Sequence, residues 1–258
     1  MSATKAKTAN ILMPSGPFQS IRLLKFYGDE AKKLTAAQIA NALNGMATFN
    51  PEKSPRAGFT NIESSGKTVT ADMYAAYDVH TQSYNKKGEP QDKESFVTIE
   101  KGSIIIRMDY KLVEIRGSSR LASRFRAVLY GITEVKADPL EFEKAARKDI
   151  YEILTKSTKA PQKINITHIV YSNVVKYDVD SAEFRGDNLQ NKAEVYQHGT
   201  FHGGTIARFT GVFVYPSGTD YKTSINFDNS SVLLFKTSDG ILEKDLRWIV
   251  KSLSDAST

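Results

Sequence analysis

Residues 104–132 read IIIRMDYKLVEIRGSSRLASRFRAVLYGI, and residues 225–253 read INFDNSSVLLFKTSDGILEKDLRWIVKSL. Each segment has the pattern of a strand, a short turn, a second strand, a polar cap and an amphipathic helix. Their apolar positions match at one offset of 121 residues without a gap: Ile104, Ile106, Leu112, Leu121, Phe125, Val128, Leu129 and Ile132 correspond to Ile225, Phe227, Leu233, Leu242, Leu246, Ile249, Val250 and Leu253. An offset shared over this length is typical of a duplicated structural unit.

Further helices are predicted before each segment from residues that typically cap a helix. Thr35 and Gln38 form a predicted capping box, and Asp138 with Glu141 forms another. Ser118 is predicted to cap the closing helix of the first segment, and its counterpart Asp239 to cap the last helix. We therefore predict an α+β fold of two pseudo-repeats, each with antiparallel strands, a preceding helix and a closing helix. The helices are predicted to lie on one face of the sheet, and the other face to be open to a partner.

The pattern divides the chain into an N-terminal arm and two halves. Residues 1–10 lack periodicity and are predicted to be a disordered arm. Residues 11–137 form the first α+β half and residues 138–258 the second. In the first half, apolar residues alternate over residues 69–79, which predicts a half-exposed strand. In the second half, residues 193–197 are predicted to form a strand.

Composition restricts the class of protein. The chain has 258 residues, 40% of them hydrophobic, and no cysteine, which excludes disulfides, thiolate metal sites and cysteine nucleophiles. No apolar run approaches the roughly 20 residues that span a bilayer, so no membrane partner is predicted. We expect an intracellular protein of the cytoplasm, the nucleoid or the nucleus.

Basic residues are concentrated in the first of the two segments. The chain has 35 Lys and Arg against 29 Asp and Glu, a net charge of +6. Residues 101–136 contain eight basic and three acidic residues, a net of +5. A local excess of this kind attracts polyanions. The alternative interpretation is a solvated basic face without a ligand.

The leading hypothesis is a non-catalytic nucleic-acid-binding protein, for DNA or RNA. Arginine and lysine contact phosphates, and tyrosine rings on strands stack on bases. Tyrosines that merely fill half-buried sheet positions are the alternative explanation. The predicted nucleic-acid-binding residues are Lys67, Arg107, Lys111, Arg116, Arg120 and Arg124. Arg120 and Arg124 are four residues apart and are predicted to form a patch on one side of their helix.

Two short strings resemble pieces of a known DNA-binding fold. Residues 48–55 read TFNPEKSP, and residues 64–70 read SSGKTVT. With the duplicated order of elements, they resemble the TATA-box-binding protein fold. That family has a strand between the two strings, whereas the spacing here predicts none, and the family's intercalating phenylalanine would fall near Ser54. The resemblance implies a fold and assigns no site residue.

Two motifs that suggest catalysis or cofactor binding are incomplete. Residues 65–68, Ser-Gly-Lys-Thr, end like a phosphate-binding loop, but Asn61 stands at the position of its first glycine. The loop also needs a helix after the threonine, and a strand is predicted there. His198 and His202 are predicted to lie about 13 Å apart in an extended loop, too far to share a metal.

Carboxylates offer a third candidate chemistry. Asp178, Asp180 and Glu183 suit a divalent cation, and a solvated strand end explains them as well. No catalytic residue, metal site or cofactor is predicted, and a metal-dependent enzyme is the third hypothesis.

The alternative hypothesis to nucleic-acid binding is that the protein is a self-assembling structural subunit or a protein-interaction subunit. Such a protein pairs through exposed sheet edges. Trp248 lies off the apolar stripe of its helix and is the predicted partner-binding residue. The alternative for Trp248 is packing across a neighbouring element of the same chain.

Overall fold

The computed structural model describes residues 10–28, 33–46, 48–156, 163–174 and 179–257, with backbone only at residues 91–94, 179 and 200. The strands are β1 (Ile11–Leu12), β2 (Phe18–Tyr27), β3 (Ala57–Ser65), β4 (Thr68–Tyr84), β5 (Pro90–Arg107), β6 (Leu112–Arg116), β7 (Lys136–Pro139), β8 (Asn165–Val174), β9 (Val179–Arg185), β10 (Thr205–Val214), β11 (Asp220–Asn226), β12 (Ser231–Phe235) and β13 (Ile241–Leu242). The helices are α1 (Ala36–Asn44), α2 (Ser119–Thr133), α3 (Lys144–Thr155), α4 (Ala193–Thr200) and α5 (Glu243–Ala256). The predicted α+β class, with antiparallel strands and helices on one face, is confirmed.

The chain forms two compact units. The central unit is Leu24–Asp138, and the composite unit joins Met1–Leu23 to Pro139–Thr258. This division differs from the predicted halves at the N-terminal side, because the first residues of β2 pair with β12, with Ile21 opposite Val232. The predicted disordered arm lies outside the described residues except for Asn10, whose carbonyl accepts a hydrogen bond from Glu243 N at 2.9 Å.

The sheet of the central unit has the strand order β3-β4-β5-β6, and neighbouring strands are antiparallel. Val69, Ala71, Met73 and Ala75 of β4 point into the core that α1 and α2 cover. The intervening residues of β4 face the other way, which confirms the alternation that the sequence predicted. Buried strand residues and helices thus meet on one face.

Both predicted caps of the central unit are present. Thr35 Oγ1 accepts a hydrogen bond from Gln38 N at 3.2 Å, and Gln38 Oε1 accepts one from Thr35 N at 2.8 Å. Ser118 Oγ accepts from Leu121 N at 3.1 Å and begins α2. These side chains satisfy helix amide groups that would otherwise lack a partner.

The first turn of α2 lies unusually close to β5. Leu121 is fully buried and packs over Gly102 and Gly117. A Cβ atom on Gly102 would overlap Leu121 Cδ2 and would lie 2.6 Å from the carbonyl oxygen of Arg116. Because real Cβ atoms do not approach a backbone oxygen this closely, only glycine allows the observed distance between helix and sheet.

The composite unit has the strand order β2-β12-β11-β10-β8-β9. Its core contains edge-to-face aromatic pairs, among them Phe209 with Phe213 at 5.8 Å and Tyr151 of α3 with Phe209 at 5.4 Å between ring centroids. The stripe that α5 buries consists of Leu246, Ile249, Val250 and Leu253, as the apolar spacing predicted.

The two caps predicted for the helices α3 and α5 of this unit are wrong. Asp138 belongs to strand β7, and α3 begins only at Lys144. The reason is tertiary, because Leu140 is buried and its amide donates to the carbonyl of Leu23 at 3.3 Å, which keeps the segment extended. Asp239 lies in a turn, and α5 begins at Glu243 without a side-chain cap.

Strand β3 and helix α4 are among the elements that were not predicted. Strand β3 lies between the strings at residues 48–55 and 64–70, so the prediction that no strand fits there is wrong. It is an edge strand with a bulge between Thr60 and Glu63. Few of its residues are buried, so its sequence lacks the regular alternation of apolar and polar residues that predicts a strand. The strand predicted at residues 193–197 is wrong as well, because that segment is helix α4, which has no side-chain cap and few buried residues.

The two hairpins do not follow the offset of 121. In each hairpin four turn residues separate the strands, and Lys111 and Ser230, at offset 119, both have a positive φ of about 50°. The buried helix positions Phe125 and Leu246 do follow the offset of 121. The connection between hairpin and helix is therefore longer in the second segment, and a duplication origin stays a prediction.

We expect Gly102→Ala to lower the free energy of unfolding by about 2 kcal/mol, because the added methyl group forces α2 away from β5. Gly131→Ala is the matched control: it lies in α2, no atom beyond the local helix backbone lies within 4 Å of the position its methyl group would take, and it should stabilise by about 1 kcal/mol. Urea denaturation followed by circular dichroism measures both. Equal effects of the two substitutions would contradict the close packing at Gly102.

Candidate nucleic-acid interface

Helix α2 presents two of the predicted arginines over one aromatic ring. The guanidinium carbon of Arg120 lies 4.9 Å from the centroid of the Tyr77 ring, and that of Arg124 lies 5.6 Å from it. The two arginines are one helical turn apart, so the prediction that they form a patch is met by the geometry. Tyr77 belongs to β4 and lies on the same face of the sheet as α2. Cation–π contacts of this kind stabilise by about 0.5–1 kcal/mol at exposed sites.

The two arginines differ in how their charge is balanced. Glu100 of β5 accepts hydrogen bonds from Arg120 and from the cap residue Ser118. Arg124 donates instead to the carbonyl oxygen of Pro55 at 3.1 Å. Within the part of the chain that the structure describes, no carboxylate pairs with Arg124. Its positive charge is therefore available to an anion.

Tyr77 stays protonated at neutral pH. Burial raises the pKa of the Tyr77 phenol and the charge of Glu100 adds to this, whereas Arg124 and Arg120 oppose it. The ring therefore acts as a neutral aromatic platform beneath two cations.

A shallow groove runs along α2. One cavity of about 380 Å³ is lined by the residues that we call the α2 patch: Tyr77, Ser119, Arg120, Ser123, Arg124 and Ala127. A second cavity of about 440 Å³ shares Ser123 and Ala127 with the first and extends to Arg126, Tyr130 and Lys136. Asp138 pairs with Arg126 in this second cavity. The groove thus has four cations against two carboxylates, with an aromatic ring in each half.

The other two predicted arginines share one buried carboxylate. Glu114 of β6 is fully buried and accepts from Arg107 Nη1 at 2.8 Å and from Arg116 Nε at 2.7 Å. Val113 and Ile115 point into the helix-side core, so Glu114 lies on the opposite, helix-free face. Arg116 is 10% exposed and Arg107 19%. These arginines hold a buried carboxylate and are not placed to contact phosphates.

Lys67 and Lys111 lie together beside Arg107, which pairs with Thr68 of β4 and with Leu112 of β6. The carbonyl of Lys67 accepts from Met108 N at 2.8 Å, and Met108 O accepts from Lys111 N at 3.4 Å, which brings the two turns side by side. Tyr77 is nine residues along β4 from Thr68, a distance of about 30 Å in a strand. The six predicted residues therefore fall into two groups: Arg120 and Arg124 lie beside Tyr77, and the other four lie around the hairpin of β5 and β6.

The basic excess of residues 101–136 is compensated from outside that window. Lys101 Nζ lies 3.1 Å from Asp72, and Arg120 and Arg126 pair with Glu100 and Asp138. Burial works against ionisation of Asp72, but hydrogen bonds from Lys101 and Asn61 prevail and lower the pKa of that carboxyl. The central unit has 17 basic and 14 acidic residues and the composite unit 18 and 15, so each carries a net charge of +3.

Trp248, the predicted partner-binding residue, is half-buried. Its ring packs edge-to-face on Tyr215 at 5.4 Å, within the composite unit. This is the alternative that the sequence left open, a contact across a neighbouring element. Partner binding by Trp248 stays a prediction.

The metal candidates are dispersed or engaged in other contacts. His198 lies on α4, and its ring stacks on His202 at 5.0 Å, so the predicted extended loop is wrong. Asp178 lies outside the described residues. Glu183 pairs with His168 at 2.7 Å and with Arg185 at 2.8 Å. In the ranges that the structure describes, no three side chains of metal-binding type come together.

Three residues that bind the predicted arginines escaped the sequence analysis. Tyr77 and Glu100 contact arginines of α2, which is far from them in sequence, and Glu114 contacts Arg107 across the hairpin of β5 and β6. The alternation from residue 69 onward placed Tyr77 on the helix side of its strand, and this was the available signal. Nothing in the sequence indicated that Glu114 is fully buried.

No protein-family model matches the chain, and no curated protein sequence matches it. Among the described helices, none has the length and hydropathy needed to cross a bilayer.

We expect Glu114→Gln to lower the free energy of unfolding by about 3 kcal/mol, because Arg107 and Arg116 then lose the anion between them. Glu63→Gln on the exposed part of β3 removes the same charge and should change stability by less than about 0.5 kcal/mol. Urea midpoints of the two variants provide the comparison. If Glu114→Gln unfolds at the midpoint of the natural protein, the assigned role of Glu114 is wrong.

Proposed function

We propose that the protein binds single-stranded nucleic acid along α2, through the α2 patch and the adjoining cavity with Arg126, Tyr130 and Lys136. One observation carries the proposal: Arg120 and Arg124 are stacked over Tyr77, and Arg124 has no carboxylate partner among the described residues. A groove with cations and aromatic rings suits the backbone and the bases of a single strand.

The chemistry of the groove favours a strand whose bases are accessible. Guanidinium planes stack on bases, and their N–H groups donate to phosphate oxygens in the same orientation. Tyr130 is 50% exposed and offers a second ring next to Lys136. Base-paired nucleic acid hides its base faces, so it can use the cations but not the rings.

The helix-free face of the central unit is less suited to this role. Its basic residues are held by buried or half-buried carboxylates, as Arg107 and Arg116 are by Glu114 and Lys101 is by Asp72. Releasing them for phosphates would leave a carboxylate buried without a partner, which is costly. The proposed interface is therefore on the helix side, unlike the open sheet face that the sequence suggested.

We expect Arg120→Glu with Arg124→Glu to weaken binding of a single-stranded oligonucleotide at least tenfold, because two phosphate contacts become repulsive. The slope of log K against log salt concentration should fall by about 1.4 for a single strand. Fluorescence anisotropy with labelled poly(dT) and poly(U) oligonucleotides at several salt concentrations measures both quantities.

A matched control exists on α5. Arg247 and Lys251 are also exposed and four residues apart, each paired within the helix, so Arg247→Glu with Lys251→Glu changes the net charge equally. We expect this control to lose affinity only slightly. Equal losses in the two double variants would show that net charge alone, and not the α2 groove, attracts the strand.

A second candidate function is self-association through the hairpin of β4 and β5. Among the described residues, strand β3 pairs with β4 only as far as Ala75, and β6 pairs with β5 only from Ser103 onward. The remaining hairpin, which we call the arm, exposes Phe96, Val97 and Ile99 by 46–55%. Two strands whose outer edges pair with no other described strand, and which carry exposed apolar side chains, are suited to pairing with a second copy.

We expect Val97→Lys with Ile99→Lys to abolish any concentration-dependent increase in sedimentation coefficient, because charges on the arm oppose edge-to-edge pairing. Ile153→Lys on α3, an equally exposed apolar residue, is the control and should leave it unchanged. A natural protein that sediments as a monomer at every concentration would contradict self-association.

A further inference from the structure

The composite unit contains a cavity with the composition of a ligand site. It has a volume of about 510 Å³, within the range of small-molecule sites in proteins. Helices α3 and α4 and strands β8 and β10 form its walls. Three tyrosines line it, Tyr151, Tyr171 and Tyr196, and Lys144 and Lys148 lie at α3 beside them.

The position of Tyr171 is fixed by two glycines. A Cβ atom on Gly199 would lie 2.9 Å from Tyr171 Cε1, and one on Gly204 would lie 2.8 Å from the carbonyl oxygen of His198 and 3.2 Å from Tyr171 Cβ. The ring also packs edge-to-face on Phe184 at 6.4 Å. Tyr171 is therefore a rigid wall and not a side chain that fills the cavity by rotating.

The buried phenols keep their protons. Burial raises the pKa of Tyr151 to about 12, and burial together with the charge of Tyr151 raises the pKa of Tyr171 further above its usual value. Both hydroxyls are neutral at physiological pH and can donate to or accept from a ligand. They offer hydrogen bonds without adding negative charge to the cavity.

Positive charge is available at the edge of the cavity. Lys144 Nζ donates to the carbonyl of Gly203 at 2.7 Å, which holds the ammonium group against the cavity wall. Lys148 is 64% exposed and lies 3.8 Å from Glu152, a carboxylate that also pairs with Lys156 at 2.6 Å. One carboxylate thus serves two lysines, so a further anion beside Lys144 and Lys148 meets a net positive charge.

We propose that this cavity binds a single nucleotide, with the base against Tyr171 and Tyr196 and the phosphate at Lys144 and Lys148. Aromatic walls stack on a planar base, neutral phenols bond its polar edge, and ammonium groups bind the phosphate. The same chemistry fits a free mononucleotide and the terminal nucleotide of a strand. The inference is independent of the proposed groove along α2, because every residue it uses belongs to the composite unit.

The test is isothermal titration calorimetry of the full chain with AMP, GMP, CMP and UMP, and with adenosine as a probe that lacks the phosphate. We expect saturable binding of at least one mononucleotide at one site per chain, and at least tenfold weaker binding of the nucleoside. Lack of binding by all four mononucleotides would overturn the proposal.

Two variants locate the site. Ala145→Trp places a large ring in the cavity from an exposed helical position and should reduce nucleotide affinity at least tenfold. Lys148→Glu should weaken AMP binding but not adenosine binding, whereas Lys244→Glu, an equal charge change on α5, should leave both unchanged. Unchanged AMP affinity in Ala145→Trp, with its circular dichroism spectrum preserved, would place the nucleotide elsewhere.

Two further comparisons distinguish a free nucleotide from the end of a strand, and this cavity from the proposed groove along α2. Displacement of AMP by a short oligonucleotide with a 5′-phosphate, but not by one with a 5′-hydroxyl, assigns the cavity to a strand end, and lack of displacement assigns it to a free nucleotide. The variant with Arg120→Glu and Arg124→Glu should retain AMP binding in full. Loss of AMP binding in that variant would contradict a site confined to the composite unit.

Discussion

The packing of Leu121 against Gly102 determines where α2 lies above the sheet of the central unit. The glycine provides space that no other residue provides, and Leu121 is fully buried in it. Burial of a leucine side chain contributes about 1.5–3 kcal/mol, so this contact stabilises the helix as well as positioning it. Because Ser118 caps the same turn and bonds Glu100, the exposed side of α2 is oriented with little freedom. The arginines that follow are thereby held over Tyr77.

Local pairing, and not net charge, decides which surface is attractive to an anion. Both units carry the same net charge of +3, yet their cations are distributed differently. Glu114 binds two arginines in a place without solvent, where the attraction between opposite charges is strong and hard to replace. Arg124 contacts the carbonyl oxygen of Pro55 and the ring of Tyr77, and no carboxylate among the described residues pairs with it. The partners of each arginine therefore say more about where an anion is attracted than the net charge of a sequence window does.

Each unit combines aromatic rings with cations, but in different forms. In the central unit two guanidinium groups cover one ring, and the groove beside them is shallow. In the composite unit three tyrosines line a cavity, and the ammonium groups lie at its edge. The first arrangement suits a continuous strand that passes over a surface, whereas the second suits one ring that enters. A protein with both would hold a strand along one unit and a single nucleotide in the other.

The sequence alone determined the class of fold, because the alternation of β4 and the apolar stripes of α2 and α5 are local consequences of side-chain periodicity. It also determined that Arg120 and Arg124 share one side of a helix. Only the tertiary structure decided that Arg107 and Arg116 enclose Glu114 and that Tyr77 lies beneath the other two arginines. Tertiary structure also decided that Asp138 and Asp239 do not cap helices and that residues Ala193–Thr200 form a helix. Short-range patterns predict how a segment folds, but burial and ion pairing depend on how the strands and helices pack together.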